Sequence, residues 1–359
     1  MTRERVVVAM SGGVDSSLAA ALLREQGYEP IGATLRLRAC EEGGRSRSCC
    51  GADGPIAARD VCGQLGMAHF LIDRAAVFEQ LVLRPAWNEY ARGRTPNPCI
   101  ACNERIKFGA LREFARAIDA PKIATGHYAR LQPDDRGVLR LLRGRDPRKD
   151  QSYFLHSLTA DQRAAAIFPL GEWTKIEARE MARQRGLTVA DKAESQDACF
   201  VAEDASFAET LRRRFGEAAR PGAIVAADGR RLGGHAGVHL FTIGQRQGLG
   251  VALGRPAWVS EIDADAGAVR ITDRADDLLA PAMIVDDFRW AEPPRTMTCG
   301  AQIRYRHPAA AATVEPLDGA RVRVRFAEPQ RAIAPGQAAV CYDGDRVVGG
   351  GWILAAVRE

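Results

Sequence analysis

Near its amino terminus the chain reads Val6-Val7-Val8-Ala9-Met10-Ser11-Gly12-Gly13-Val14-Asp15-Ser16-Ser17, and this stretch decides the fold. The valines predict a buried strand, and the Ala- and Leu-rich residues 18–23 predict a helix. We expect Asp15 or Ser16 to cap its first turn. Two adjacent glycines permit a tight turn with room for a ligand, and the first amides of a helix carry its positive dipole end. The stretch therefore predicts an anion-binding loop.

This loop is not a Walker phosphate loop, because no lysine follows Gly13. Residues 11–17 instead resemble the pyrophosphate loop of enzymes that split ATP into AMP and pyrophosphate. A glycine turn without a ligand is the simpler alternative. It is less favoured, because the order of hydroxyl, glycine and carboxylate is more demanding than glycine alone.

Composition sets outer limits on the function. The 359 residues predict two or three domains, and 46% hydrophobic with 26% charged residues is typical of a globular chain. A net charge of +5 neither requires nor excludes a nucleic-acid partner. Without a long apolar run or a signal peptide, we expect a soluble, cytoplasmic protein with no membrane partner.

The nine cysteines lie at positions 40, 49, 50, 62, 99, 102, 199, 299 and 341. In a cytoplasmic chain they indicate thiols, metal ligands or redox groups rather than a disulfide framework. Cys49 and Cys50 fall in the aperiodic stretch 39–55, which we interpret as a surface loop, with metal binding as the less favoured alternative.

The pattern of predicted secondary structure changes beyond Pro221. Before it, strands alternate with helices, including a strand at 29–37, single helices at 75–90 and 160–167, and a helix from about 104 to 118. After it, short Val-, Ile- and Arg-rich strands alternate with Asp-Gly turns, in one unit from 222 to about 271 and another from about 282 to the end. The chain therefore predicts an α/β part followed by an all-β part.

Two further motifs carry candidate chemistry. Residues 95–103 read Thr-Pro-Asn-Pro-Cys-Ile-Ala-Cys-Asn, which predicts that Cys99 and Cys102 lie on a loop at or near a helix start, where a thiol pKa falls. A lone Cys-x-x-Cys is also half of a zinc site, but neither a second such pair nor a nearby pair of histidines follows. His127 follows a strand that ends at Gly126, which predicts a position at the ligand-binding edge of a parallel sheet.

Together the motifs resemble the bacterial tRNA 2-thiouridylases, which are tRNA-uridine 2-sulfurtransferases. The matching segments are 11–17, 95–103 with 106–109, 124–130, 149–155, 195–200, 242–250 and 304–306. The resemblance implies an α/β amino-terminal domain of the adenine nucleotide alpha-hydrolase type at 1–205, with a parallel sheet and a pyrophosphate loop. It further implies a small β-rich central domain at 206–275 and a carboxyl-terminal, tRNA-contacting β-barrel at 276–359.

The resemblance also assigns residues. Cys102 matches the catalytic nucleophile, and Cys199 matches the cysteine that carries persulfide sulfur. ATP would contact Ala9, Met10, Ser11, Gly12, Gly13, Val14, Asp15, Ser16, Leu35 and Gly126. The tRNA would contact Asn97, Pro98, Cys99, His127, Lys149, Asp150, Gln151, Arg304, Tyr305 and Gln337. The implied partners are a tRNA anticodon loop and a sulfur-donor or sulfur-relay protein, and not DNA.

The chemistry of thiolation requires these residue types. The C2 oxygen of uracil is a poor leaving group, so ATP with magnesium must first adenylate it. Persulfide sulfur on Cys199 then attacks, and Cys102 releases it or takes up the resulting disulfide with Cys199. The stacked wobble uridine must be splayed into the site.

Several alternatives stay open. Some family members carry Asp where this chain has Cys99, so Cys99, Cys102 and Cys199 could together hold a [4Fe-4S] cluster with one open iron. Another pyrophosphate-loop synthetase, such as a tRNA lysidine synthetase or an amidotransferase-type enzyme, would not need paired thiols. The β-rich half could also make the chain a non-catalytic, nucleotide-gated RNA-binding protein. His127 could be a packed histidine, and residues 143–149 could be a solvated charged face.

Overall fold

A computed structural model describes residues 3–37, 53–193, 206–216, 219–251 and 253–358. The Cys49-Cys50 stretch, Cys40 and the 195–200 motif with Cys199 lie outside these ranges. The chain forms two compact units, the first from Met1–Val82 and Cys99–Ala205 and the second from Leu83–Pro98 and Ser206–Glu359.

The helices in these ranges are α1 (Val14–Glu25), α2 (Asp53–Gln64), α3 (Ala75–Phe78), α4 (Arg84–Ala91), α5 (Pro98–Ala101), α6 (Leu111–Ala117), α7 (Ala160–Ala165), α8 (Lys175–Gln184) and α9 (Phe207–Phe215), with π-helices at Glu79–Leu83 and Cys102–Ala110. The strands are β1 (Arg5–Ala9), β2 (Glu29–Arg36), β3 (His69–Asp73), β4 (Lys122–Ala124), β5 (Ala129–Pro133), β6 (Leu139–Arg143), β7 (Ala166–Ile167), β8 (Gly222–Val225), β9 (Arg231–His235), β10 (Trp258–Asp263), β11 (Ala268–Thr272), β12 (Leu279–Trp290), β13 (Met297–Gln302), β14 (Ala310–Pro316), β15 (Val322–Arg331), β16 (Ala338–Asp343) and β17 (Arg346–Val357). Short 3₁₀ turns lie at Ser152–Phe154, Val238–Leu240 and Ala275–Leu278.

The first unit is built on a parallel sheet with the strand order β3-β2-β1-β4-β7. Val6, Val7 and Val8 of the central strand β1 are fully buried, because β2 and β4 flank the strand and the core packs over it. A continuous apolar run is typical of such a strand. The glycine loop leaves the carboxyl end of β1 and leads into α1. The predicted α/β domain with a pyrophosphate loop is confirmed.

Three local predictions for this half of the chain were wrong. Gly13 is the N-cap of α1, and no side chain caps it, whereas Asp15 or Ser16 was expected. The helix expected at 160–167 ends at Ala165, because Ala166 and Ile167 pair with β4 as the edge strand β7. The helix expected at 75–90 is divided into α3, the π-helix Glu79–Leu83 and α4.

The second unit contains two β structures. Strands β10-β11-β8-β9 form a four-stranded sheet over a small core that includes Ile224, Val259 and Ile271. Strands β12-β15-β14-β13-β16-β17 form a barrel that closes through pairing of β12 with β17. This confirms the β-rich central domain and the β-barrel. Within the described ranges, no helix has the length and apolar character that crossing a bilayer requires.

Candidate active site

The glycine loop is held in its turn by its own side chains. Gly12 has a φ of +72°, and a Cβ there would collide with the carbonyl oxygen of Gly54, so only glycine fits. Ser16 Oγ accepts the Ser11 N–H at 3.2 Å and donates to the Gly13 carbonyl at 3.2 Å. Ser17 Oγ donates to the same carbonyl at 2.8 Å. These hydroxyls shape the loop, and the first amides of α1 lie at its opening.

Gly126 packs directly against this loop. A Cβ at Gly126 would lie 2.7 Å from the backbone carbon of Asp15 and 2.8 Å from the Ser16 nitrogen. Leu35, near the end of β2, is half-buried, and β2 pairs with β1 on the side opposite β4. The loop, Leu35 and Gly126 therefore lie at the carboxyl ends of three adjacent parallel strands, where ligands bind in open α/β sheets. The remaining predicted ATP contacts range from buried to exposed: Met10, Gly12, Val14 and Ser16 are buried, Ala9, Gly13 and Asp15 are half-buried, and Ser11 is exposed.

Two lysines that belong to none of the predicted motifs contact the loop. Lys175 Nζ lies 2.6 Å from Asp15 Oδ1, which also accepts the Tyr128 hydroxyl at 2.9 Å. Lys192 Nζ donates to the Gly12 carbonyl at 3.0 Å. Lys175 is the first residue of α8, where Thr174 and Glu177 form a capping box, so its backbone position is well defined. The only signal in the sequence was this Thr-x-x-Glu helix start, which says nothing about what the lysine contacts.

The Cys-x-x-Cys motif lies on helix and not on a loop. Cys99 is half-buried in the short α5, and Cys102 is the first residue of the π-helix, with 7% of its surface exposed. Asn103 Nδ2 donates to the Phe154 carbonyl at 3.1 Å. Asn97 and Pro98 are half-buried. In the part of the chain that the structure describes, no group of three or more His, Cys, Asp or Glu residues could hold a metal ion.

His127 is a packed group, with 8% of its surface exposed. Its Nδ1 lies 2.7 Å from Thr125 Oγ1, and its ring is 6.3 Å from that of Phe108 and 6.1 Å from that of Phe168, centroid to centroid. Burial, with a smaller effect of Lys107, holds the pKa of His127 well below its ordinary value. The imidazole is therefore neutral at pH 7, and its contact with tRNA stays a prediction.

The side chains of Asp150 and Gln151 brace their own loop. Asp150 accepts the Gly144 N–H at 2.9 Å, the Ser152 N–H at 3.0 Å and Arg143 Nη1 at 2.8 Å. Gln151 Oε1 accepts the Tyr128 N–H at 3.0 Å, and the Gln151 N–H donates to the Tyr128 carbonyl at 2.9 Å. Arg143 thus forms an ion pair with Asp150 inside the first unit. Lys149, which precedes Asp150, is half-buried.

The barrel residues that are predicted to contact tRNA belong to the second unit. Arg304 is exposed, and its Nη2 donates to the carbonyls of Arg331 and Ala332 at 3.1 and 3.3 Å. Tyr305 is half-buried under the Arg306 guanidinium, which lies 5.5 Å from its ring centroid. Gln337 Nε2 donates to the Thr95 carbonyl at 3.1 Å.

Family models match three successive parts of the chain. Residues 4–203 match the tRNA methyl transferase HUP domain, residues 208–273 the tRNA methyl transferase PRC-barrel domain, and residues 281–353 the aminomethyltransferase beta-barrel domain.

Curated relatives are similar over nearly their whole length. The chain is 45% identical to tRNA-specific 2-thiouridylase MnmA of Geobacter metallireducens, covering 99% of this chain and 98% of the relative. It is 48% identical to the protein of the same name from Moorella thermoacetica, covering 98% and 100%. Identity to that of Sorangium cellulosum is 46%, covering 99% and 93%.

Proposed function

The chain belongs to the family of tRNA-specific 2-thiouridylases, and we propose that it is an ATP-dependent tRNA sulfurtransferase that makes 2-thiouridine at the wobble position. The observation that carries the proposal is the braced glycine loop, against which Gly126 packs and which Lys175 and Lys192 contact. The same folding unit carries Cys99 and Cys102. Nucleotide cleavage and thiol chemistry are thereby combined in one α/β domain.

The loop suits the phosphates of ATP. Its glycines let a ligand approach the backbone, and the amino-terminal end of α1 favours an anion. Lys175 and Lys192 add positive charge that offsets the phosphates. Asp15 offers a carboxylate of the type that magnesium prefers, and bound magnesium would neutralise the departing pyrophosphate. In this step the C2 oxygen of the uridine attacks the α-phosphorus, and pyrophosphate leaves.

Sulfur then replaces the activated oxygen. The terminal sulfur of a persulfide on Cys199 attacks C2, and the C2–O bond breaks with release of AMP. The Cys102 thiolate attacks the inner sulfur of Cys199, breaks the S–S bond and leaves 2-thiouridine with a Cys102–Cys199 disulfide. An external dithiol then reduces the disulfide. Cys102 lies one turn into the continuous helical run that begins at Pro98, in the same folding unit as the glycine loop.

A [4Fe-4S] cluster is the competing sulfur carrier. Cys99 and Cys102 are three residues apart on consecutive helical segments, so both lie on neighbouring positions of one helical surface. Two thiols so arranged, with Cys199 as a third ligand, would leave one iron open to bind sulfide. Under this mechanism Cys99 is essential, whereas under the persulfide mechanism it only lies beside the base.

One experiment separates these mechanisms. We would purify the protein without oxygen, measure bound iron, and analyse tRNA nucleosides by mass spectrometry after incubation with ATP, magnesium and a persulfide donor. The persulfide route predicts no iron, loss of 2-thiouridine in Cys102→Ser and Cys199→Ser, and retained activity in Cys99→Ser. The control is Cys62→Ala, because burial raises the pKa of Cys62 to about 11 and keeps it a core thiol.

Other outcomes contradict the proposal in defined ways. Bound iron that is lost with the activity in Cys99→Ser would favour the cluster. Formation of AMP without thiolated tRNA would indicate another pyrophosphate-loop synthetase. Binding of ATP and tRNA without turnover would indicate a nucleotide-gated RNA-binding protein.

A further inference from the structure

Cys102 begins a π-helix that extends to Ala110. A π-helix has wider turns than an α-helix and is rare, and where it occurs it often marks a functional site. Each of its backbone carbonyls can also accept a hydrogen bond from a side chain outside the helix. The position of the Cys102 side chain, at the first residue of the π-helix, therefore depends on whether the π-helical hydrogen bonding is kept.

The side-chain amide of Gln162 supplies such donors. Gln162 Nε2 donates to the Glu104 carbonyl at 2.8 Å and to the Phe108 carbonyl at 3.1 Å. These carbonyls are four residues apart, so one NH₂ group uses both hydrogens to join two successive turns of the π-helix. Gln162 therefore clamps the helix that Cys102 begins.

The other end of the same amide fixes its orientation. Gln162 is the third residue of α7, and its Oε1 accepts the Thr159 N–H at 3.0 Å. The Gln162 N–H in turn donates to Thr159 Oγ1 at 3.2 Å, which completes a capping box. Because Oε1 is committed to this cap, the NH₂ group must face the π-helix.

Gly109 also packs closely against the Glu104 carbonyl. A Cβ at Gly109 would lie 3.2 Å from the Glu104 oxygen, which is tighter than ordinary van der Waals contact. On the other side, Asn103 ties the first turn of the π-helix to the Phe154 carbonyl. The backbone that carries Cys102 is thus held from α7 and from the turn at Ser152–Phe154.

We propose that Gln162 is a positioning residue for Cys102, which acts by holding the π-helical register. This inference rests on the proposed function of Cys102 as the reacting thiol. Gln162 does not touch the substrates in this scheme. Its effect appears in the placement of the thiol and not in the binding of ATP or tRNA.

The test replaces each half of the clamp separately. Gln162→Glu is isosteric and keeps the Oε1 acceptor of the capping box, but it removes the NH₂ donors. Thr159→Ala removes the hydroxyl of the cap and leaves both donors. We expect Gln162→Glu to lower kcat about ten- to a hundredfold with KM for ATP and tRNA nearly unchanged, because small misplacements of a reacting group have effects of this size.

A second readout does not depend on tRNA. The rate of Cys102 alkylation by iodoacetamide, followed by peptide mass spectrometry, should rise at least about fivefold in Gln162→Glu as the buried thiol is released. Thr159→Ala should lower the melting temperature and change neither kcat nor alkylation by more than about twofold, because losing a cap destabilises a helix end locally. Gly109→Ala, which presses on the Glu104 carbonyl, should change both readouts in the direction of Gln162→Glu.

The inference is overturned if Gln162→Glu and Thr159→Ala have the same effect on kcat and on alkylation. It is equally overturned if Gln162→Glu raises KM and leaves kcat intact. If Gln162→Glu does not fold, Gln162→Met removes the donors without adding a charge and is measured in the same way. If the wild-type protein makes no 2-thiouridine, the proposed function fails, and the alkylation rates still decide whether Gln162 positions Cys102.

Discussion

Gly126 leaves no room for a side chain beside the glycine loop. Its Cα faces the backbone of Asp15 and Ser16, so the methyl group of Gly126→Ala would displace the glycine loop. We expect ATP affinity to fall at least about tenfold, which corresponds to roughly 1.4 kcal/mol. Isothermal titration with ATP and magnesium measures the effect.

The matched control is Gly63→Ala, since a Cβ at Gly63 meets nothing within 4 Å and the residue lies in α2. Alanine there should leave ATP affinity unchanged and stabilise the helix by about 0.5–1 kcal/mol. Equal ATP affinity in Gly126→Ala and the wild-type protein would show that the loop does not hold the nucleotide.

Individual residues of this site differ in how far the sequence could predict them. The Ser-Gly-Gly-x-Asp-Ser order is local, so it predicted the loop and its place after a buried strand. Lys175 lies 160 positions from Asp15, and only the fold brings the two together at 2.6 Å. The motif predicts that Asp150 contacts tRNA, and this stays a prediction; the structure adds that three neighbours in its own loop donate to its carboxylate. A motif identifies a residue but not which atoms its side chain contacts.

Among the elements, α9 contains a carboxylate that titrates far from its ordinary range. Glu209 accepts Arg212 Nε and Nη2 at 2.8 and 2.7 Å, and Arg213 Nε lies 3.4 Å away. The hydrogen bond from Arg212 is the main reason that the pKa of Glu209 falls to about 2. A lowered carboxyl pKa stabilises the fold above the unfolded-state pKa, and the stabilisation disappears as pH falls through the folded-state value.

Glu209→Gln should therefore destabilise the protein at pH 7 by about 1 kcal/mol or more, and the difference from wild type should shrink between about pH 5 and pH 2. Urea unfolding at several pH values measures this. Glu261→Gln is the control, because its ion pair with Arg270 is exposed and should contribute less than about 0.5 kcal/mol at any pH. A pH-independent difference for Glu209→Gln would exclude the ion pair as its cause.

Element boundaries were predicted less well than element types. Residues 75–90 have helical composition throughout, so the pattern predicted one helix. Pro85 was the local sign of a break, since proline has no N–H to donate and fits only in the first turn of a helix, where it lies in α4. The short strand β7 carried no such sign, because two residues have no periodicity and are recruited by pairing with β4.

In the whole molecule, the second unit is assembled from two distant stretches of chain. Residues 83–98 belong to it together with residues 206–359. Trp87, with 3% of its surface exposed, packs edge-on to His239 with centroids 5.4 Å apart. The Thr95 N–H donates to the Pro335 carbonyl at 2.8 Å, and Thr95 Oγ1 donates to Thr242 Oγ1 at 3.0 Å. The predicted boundary at 205/206 therefore separates this unit from one of its own helices.

This assembly predicts how fragments behave. Residues 206–359 alone should melt at a lower temperature than the same fragment preceded by residues 83–98 on a flexible linker, because the shorter fragment exposes the surface that Trp87 covers. Removing a buried tryptophan costs about 3–5 kcal/mol, so Trp87→Ala in the longer fragment should abolish most of the gain. Calorimetry and near-ultraviolet circular dichroism measure both effects. Equal melting of the two fragments would mean that residues 83–98 dock onto an independently stable β unit, and the boundary at 205/206 would then delimit a complete folding domain.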